Sequence, residues 1–91
     1  MQYYTAPSFE RSLRDLEAKR KERIKKAVRL AVAFFETGQL PQGLGLKPLP
    51  NQFWEIRAGL SDRIIFRRAK DVIEFVLVGS HGAITRFLKR N

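Results

Sequence analysis

The chain contains no cysteine, and that absence excludes disulfide staples, thiolate nucleophiles and the cysteine-rich zinc sites together. Histidine is almost as scarce. A single His81 does not make the two- or three-histidine cluster that most transition metals want, so any catalysis is expected to run without a metal or other cofactor. Long apolar runs are also missing: no stretch approaches the roughly 20 residues that span a bilayer, and Met1-Gln2-Tyr3 opens no basic-then-apolar targeting segment. The expectation is a cytoplasmic protein with no membrane contact. Acidic residues are outnumbered two to one, 9 against 18 Lys and Arg, for a formal net charge of +9. Such a field attracts polyanions, and nucleic acid is favoured because each neutralised phosphate releases condensed counterions. The excess is carried by both halves of the chain, so it belongs to the folded body rather than to a basic tail.

Ninety-one residues fit one domain with one core. Tyr3-Tyr4-Thr5-Ala6 is rich in strand formers and is stopped by Pro7, which suggests a short strand at a sheet edge. Ser8 stands as an N-cap candidate, after which Phe9, Leu13 and Leu16 recur at helical spacing and extend the first helix to about Lys19. A polar joint, Lys19 to Glu22, leads to Ile24, Ala27, Val28, Ala31, Phe34 and Phe35, with Gly38 as the stop. Between Gln39 and Gln52 the prolines and glycines break both periodicities, so a surface loop is expected. Three strand-like runs follow, Phe53 to Ala58, Arg63 to Ala69 and Val72 to Val78, and their short connections describe an antiparallel meander. Ile84, Phe87 and Leu88 suit a short C-terminal helix or a fraying tail. The fold class is therefore α+β: an N-terminal strand, a two-helix hairpin packed on an antiparallel sheet, the meander, and the C-terminal helix.

Alternation along the strands sorts their side chains. Trp54, Ile56, Ile64, Phe66, Ile73, Phe75 and Leu77 fall on one face, under the helices. Glu55, Arg57, Arg63 and Arg67 fall on the other, which reads as an open cationic floor. From pattern alone, a merely solvated face is as good a reading of that floor as a binding surface.

Three segments carry a resemblance: Leu49-Pro50-Asn51-Gln52-Phe53-Trp54-Glu55-Ile56-Arg57, then Asp62-Arg63-Ile64-Ile65-Phe66-Arg67, then Val76-Leu77-Val78-Gly79-Ser80-His81. In order and spacing they resemble the RelE/ParE toxin superfamily, which shows a leucine-led loop, an aromatic-E-x-R strand, an arginine opening the next strand and a strand ending in glycine-x-histidine or glycine-x-arginine. The resemblance spans nearly the whole chain. It implies the toxin of a toxin–antitoxin pair, with messenger RNA and the ribosome as targets and an acidic antitoxin as partner. Its RNA-cleaving members use 2′-hydroxyl attack without metal, and that implies Arg57 and Arg63 as phosphate clamps, His81 for proton transfer and Glu55 as a possible base. Lys47, Arg67, Arg86, Lys89 and Arg90 would contact the RNA backbone, and Phe87 would stack on a base. Some cleaving members carry two lysines or a second histidine at the site, and those positions have no counterpart here beyond Glu55 and Arg57. The ParE branch, which inhibits gyrase, and a non-catalytic RNA-binding module are the alternatives.

Overall fold

The computed structural model describes residues 1–90. In chain order the elements are strand β1 (Gln2–Thr5), helix α1 (Pro7–Arg14), helix α2 (Ala18–Thr37), strands β2 (Lys47–Pro48), β3 (Phe53–Ala58), β4 (Asp62–Ala69) and β5 (Val72–Gly79), and helix α3 (His81–Arg90). The strands form one sheet in the order β1-β5-β4-β3-β2. The expected meander is present as β3-β4-β5, all antiparallel, and β1 lies at an edge. The sheet is not wholly antiparallel, however: β1 runs parallel to β5, pairing Gln2 with Val72 through Thr5 with Phe75. The two helices between β1 and the meander supply the long crossover that a parallel neighbour requires.

The helices also begin and end elsewhere than the pattern suggested. The first stops at Arg14 and the second starts at Ala18, so the joint is Asp15-Leu16-Glu17 and Leu16 packs against the core from outside the helix. Ser8 is not a cap. Pro7 occupies the first turn, where its missing N–H costs nothing, and Ala6 precedes it without a side-chain cap. α2 ends as expected at Gly38, which adopts φ 78° while its N–H bonds the Phe34 carbonyl at 2.7 Å. Inside the region read as a loop, β2 adds a short edge strand and Pro50–Gln52 form a tight turn with Asn51 and Gln52 at positive φ.

The main core joins Phe9 of α1 and Ile24, Ala27 and Ala31 of α2 to Ile56, Ile64, Phe66, Ile73, Phe75 and Val78 of the sheet. Leu77 was expected in this layer and is absent from it. Ile65 pairs with Leu77 but Phe66 pairs with Phe75, so Val76 is an extra residue in β5. This bulge resets the alternation: Val76 and Leu77 both join the opposite face, and Val78 returns to the main core.

α1 completes the backbone bonding beside the bulge. β1 ends its pairing at Phe75, and from there Ser8 Oγ donates to the Val76 carbonyl while the Val78 N–H donates to Ser12 Oγ at 3.0 Å. Ser8→Ala and Ser12→Ala should each destabilise the fold by about 1–3 kcal/mol, because each leaves a covered backbone group without its partner. Shifts of the urea midpoint measure this, and the double variant should lose less than the sum, since both serines hold the same three residues.

Candidate nucleic-acid interface

The face away from α1 and α2 is divided. α3 covers one part, burying Ile84 against Phe53, Ile65 and Val76, with Leu49, Leu77, Phe87 and Leu88 around them. The open floor inferred from alternation is therefore only part of this face. The remainder is the end of the sheet where β3, β4 and β5 carry Arg57, Arg63 and Gly79 in a single row: Arg57 is opposite Arg63, and Arg63 is opposite Gly79.

Cross-strand neighbours of this kind hold their Cβ atoms about 4.5–5.5 Å apart, and like charges so placed repel. One carboxylate, Glu55, relieves that repulsion in part. It lies two residues before Arg57 on the same face and approaches Arg63 Nε at 3.7 Å. Expected on an open floor, Glu55 is instead buried, at 7 % exposure. Arg63 is half-buried and its guanidinium also reaches the Asp62 carbonyl at 3.4 Å. Arg57 is exposed, and its aliphatic stem crosses Gly45, where an added Cβ would stand 2.9 Å from Arg57 Cγ and Cδ. Gly45 is thus the seat on which Arg57 rests, a role that nothing in a proline- and glycine-rich loop announces.

The row is anchored from behind. Asp62, the first residue of β4, is buried and receives two hydrogen bonds from Arg20 of α2, at 2.7 and 3.2 Å. That pairing raises the Arg20 guanidinium above its ordinary pKa, chiefly through the hydrogen bond to Asp62. It ties the hairpin end that presents Arg57 and Arg63 to the long helix.

His81 opens α3 two residues beyond Gly79 and is exposed. The turn that places it is built by two neighbours. Ser80 accepts the Ala83 N–H on its hydroxyl at 3.1 Å and the Ile84 N–H on its carbonyl at 3.0 Å, which satisfies the first turn of the helix. Gly79 admits Ala83, whose Cβ would lie 2.9 Å from any Cβ added there. The β5–α3 junction thus places His81 two residues along the chain from Gly79, which lies opposite Arg63.

The other site residues separate into two groups. Lys47 is exposed and pairs across from Glu55, at the rim of the row. Arg86, Lys89 and Arg90 are exposed along α3. Arg67 is already engaged, with Glu74 at 2.9 Å and with the Phe53 ring 5.9 Å from its guanidinium carbon. Phe87 is half-buried and packs edge-on against Phe53 at 5.5 Å, so its ring serves the second core. Among the described residues, no three His, Cys, Asp or Glu side chains converge as a metal site, and no helix is long and apolar enough to cross a membrane.

No family model matches the chain, and no curated protein matches it in sequence. Solved structures do match in shape. A chain of the E. coli DinJ-YafQ toxin–antitoxin complex superposes with a TM-score of 0.74 at 15% identity, covering 91% of this chain and 94% of that one. A chain of the RelB-RelE antitoxin–toxin complex from Methanococcus jannaschii gives 0.68 at 21% identity, over 92% and 96%. The YoeB dimer from Staphylococcus aureus gives 0.66 at 11% identity, over 89% and 97%. This chain has the α+β fold of those toxins, from the N-terminal strand through the mixed five-stranded sheet to the C-terminal helix.

Proposed function

We propose that the chain is a single-domain toxin of the RelE/ParE superfamily that cleaves messenger RNA on the ribosome, with the Arg57–Arg63 row as its phosphate site. The observation that carries this reading is the row itself: two arginines directly opposite each other on neighbouring strands, with one buried carboxylate, Glu55, beside Arg63 and, among the described residues, none paired with Arg57. The surplus positive charge is relieved when an anion sits between the two guanidinium groups. Their planar forks suit the non-bridging oxygens of a phosphodiester.

The chemistry then assigns work to the neighbouring groups. The ribose 2′-oxygen attacks the adjacent phosphorus and the bond from phosphorus to the 5′-oxygen breaks, leaving a cyclic phosphate and a 5′-hydroxyl. A base must take the 2′-hydroxyl proton and an acid must supply one to the departing 5′-oxygen. His81 is the side chain best suited to exchange a proton near neutral pH, and Glu55, adjoining Arg63, is the second titratable group. Arg57 and Arg63 stabilise the extra negative charge on the pentacoordinate phosphorus. No metal is required by this scheme.

The partner in this reading is an acidic antitoxin, complementary to the +9 charge and able to add a strand at the β1 edge. Toe-printing on translating ribosomes tests the proposal. The wild-type chain should cut ribosome-bound message in the presence of chelator, and His81→Ala should lower that cutting by about 10²–10⁴-fold, the usual loss on removing a general acid or base. Wild-type chain that leaves the message intact would rule the nuclease out.

A further inference from the structure

Behind the Arg57–Arg63 row, where the β3–β4 hairpin meets α2, the surface is hollowed. One concavity of about 650 Å³ is bounded by Arg20, Arg23, Gly59, Ser61 and Asp62. A second, of about 230 Å³, is bounded by Arg23, Lys26, Gln42, Gly43, Arg57 and Gly59. The two share Arg23 and Gly59 and so form one trough around the hairpin end. Gly59, at φ +88°, lets Arg23 lie across the turn: a Cβ there would meet Arg23 Nε at 3.2 Å and Cδ at 3.3 Å. Arg20 is neutralised by Asp62. Arg23, Lys26 and Arg57 have no carboxylate within ion-pairing distance among the described residues.

We infer that this trough is a second RNA-backbone site, which takes phosphates flanking the one that is cut. The inference rests on the reading of the chain as an RNA-binding toxin and extends it to residues of α2. Three features select a phosphate chain as occupant. The cations are unpaired and converge on a concave wall, as they must to neutralise successive phosphates rather than a single ion. The wall is open at Gly43, where an added Cβ would meet nothing within 4 Å, so a bulky sugar–phosphate backbone can approach the main chain there. Arg57 belongs both to the second concavity and to the phosphate row, so a strand held at the row continues over the hairpin end into the trough.

The test is the salt dependence of binding, using the full chain and a single-stranded 2′-O-methyl oligoribonucleotide, which cannot be cut. Arg23→Gln with Lys26→Gln should lower the slope of log affinity against log salt by about 1.4, two contacts at about 0.7 each. Lys25→Gln with Arg29→Gln removes the same charge from the other side of α2, where these residues border the apolar groove against α1, and should leave the slope in place. Thermal melts of both variants verify folding. An equal loss in the two double variants reduces the effect to net charge and overturns the inference. So does an unchanged slope in Arg23→Gln/Lys26→Gln. If that variant keeps the slope but no longer binds an acidic protein chain, the trough belongs to a protein partner and the RNA site is likewise overturned. Wild-type chain that binds the oligonucleotide and cuts message while the slope ignores Arg23 and Lys26 removes this inference alone; wild-type chain that does neither removes the proposed function with it.

Discussion

Arg63→Ala should lower single-turnover cleavage of ribosome-bound message by about 10²–10³-fold, the loss typical when one preorganised donor to a developing charge is removed. The expectation is stronger for Arg63 than for Arg57 because of how each side chain is held. Arg63 is half-buried between Glu55 and the Asp62 carbonyl, on a strand whose first residue is fixed to α2 by Arg20. Its guanidinium therefore needs little reorganisation to meet the phosphate. Arg57 is exposed and merely rests on Gly45, so its alanine variant should lose less. Arg63→Lys separates charge from geometry: an ammonium keeps the field but not the planar fork, and should recover only part of the rate. Loss of Arg63 also strips Glu55 of its partner, so the double variant Arg63→Ala/Glu55→Gln is the control for stability. If Arg63→Ala, still folded, cuts at the wild-type rate, the row is not the phosphate site.

That Glu55, Arg57 and Arg63 share a face was legible because strand alternation needs nothing but the strand, and β3 and the first half of β4 are regular. The same rule failed in β5. Val76 has no local signature that marks it as an inserted residue; the backbone groups beside the bulge find their partners in Ser8 and Ser12, more than sixty positions earlier. Once it is present, Leu77 and Val78 exchange faces. The extent of α1 was misjudged for a related reason. Leu16 continues the spacing of Phe9 and Leu13 and does pack against the core, but it does so from the turn after Arg14. Periodicity registers which side a residue faces, not whether the backbone between is still helical. The wet floor was overestimated because Ile84, Phe87 and Leu88 could be read as an amphipathic helix, yet which sheet residues they cover depends on the turn at Gly79 and Ser80.

These two layers should respond differently to cavity formation, and Phe66 is where the largest loss is expected. It is 1% exposed, stands edge-on to Phe35 at 5.5 Å, and lies 5.9 Å from Phe75. It therefore joins α2 to β4 and β5. Phe66→Ala should cost about 3–5 kcal/mol, combining lost transfer energy with a cavity that rigid neighbours cannot close. Domains of this size have about 5–14 kcal/mol in total at roughly 0.05–0.15 kcal/mol per residue, so the variant should lose a large share of its stability, with a lower denaturant midpoint and an unchanged slope. Ile84→Ala probes the other layer. Its side chain is as deeply buried, but it connects α3 alone to the sheet, and the main core does not pass through it. Hydrogen exchange should therefore show α3 losing protection while β3, β4 and β5 keep theirs, a local opening rather than a global one. Uniform loss of protection across both layers in Ile84→Ala would mean that α3 folds as one unit with the sheet, and the face that carries Arg57 and Arg63 would then depend on the helix for its integrity.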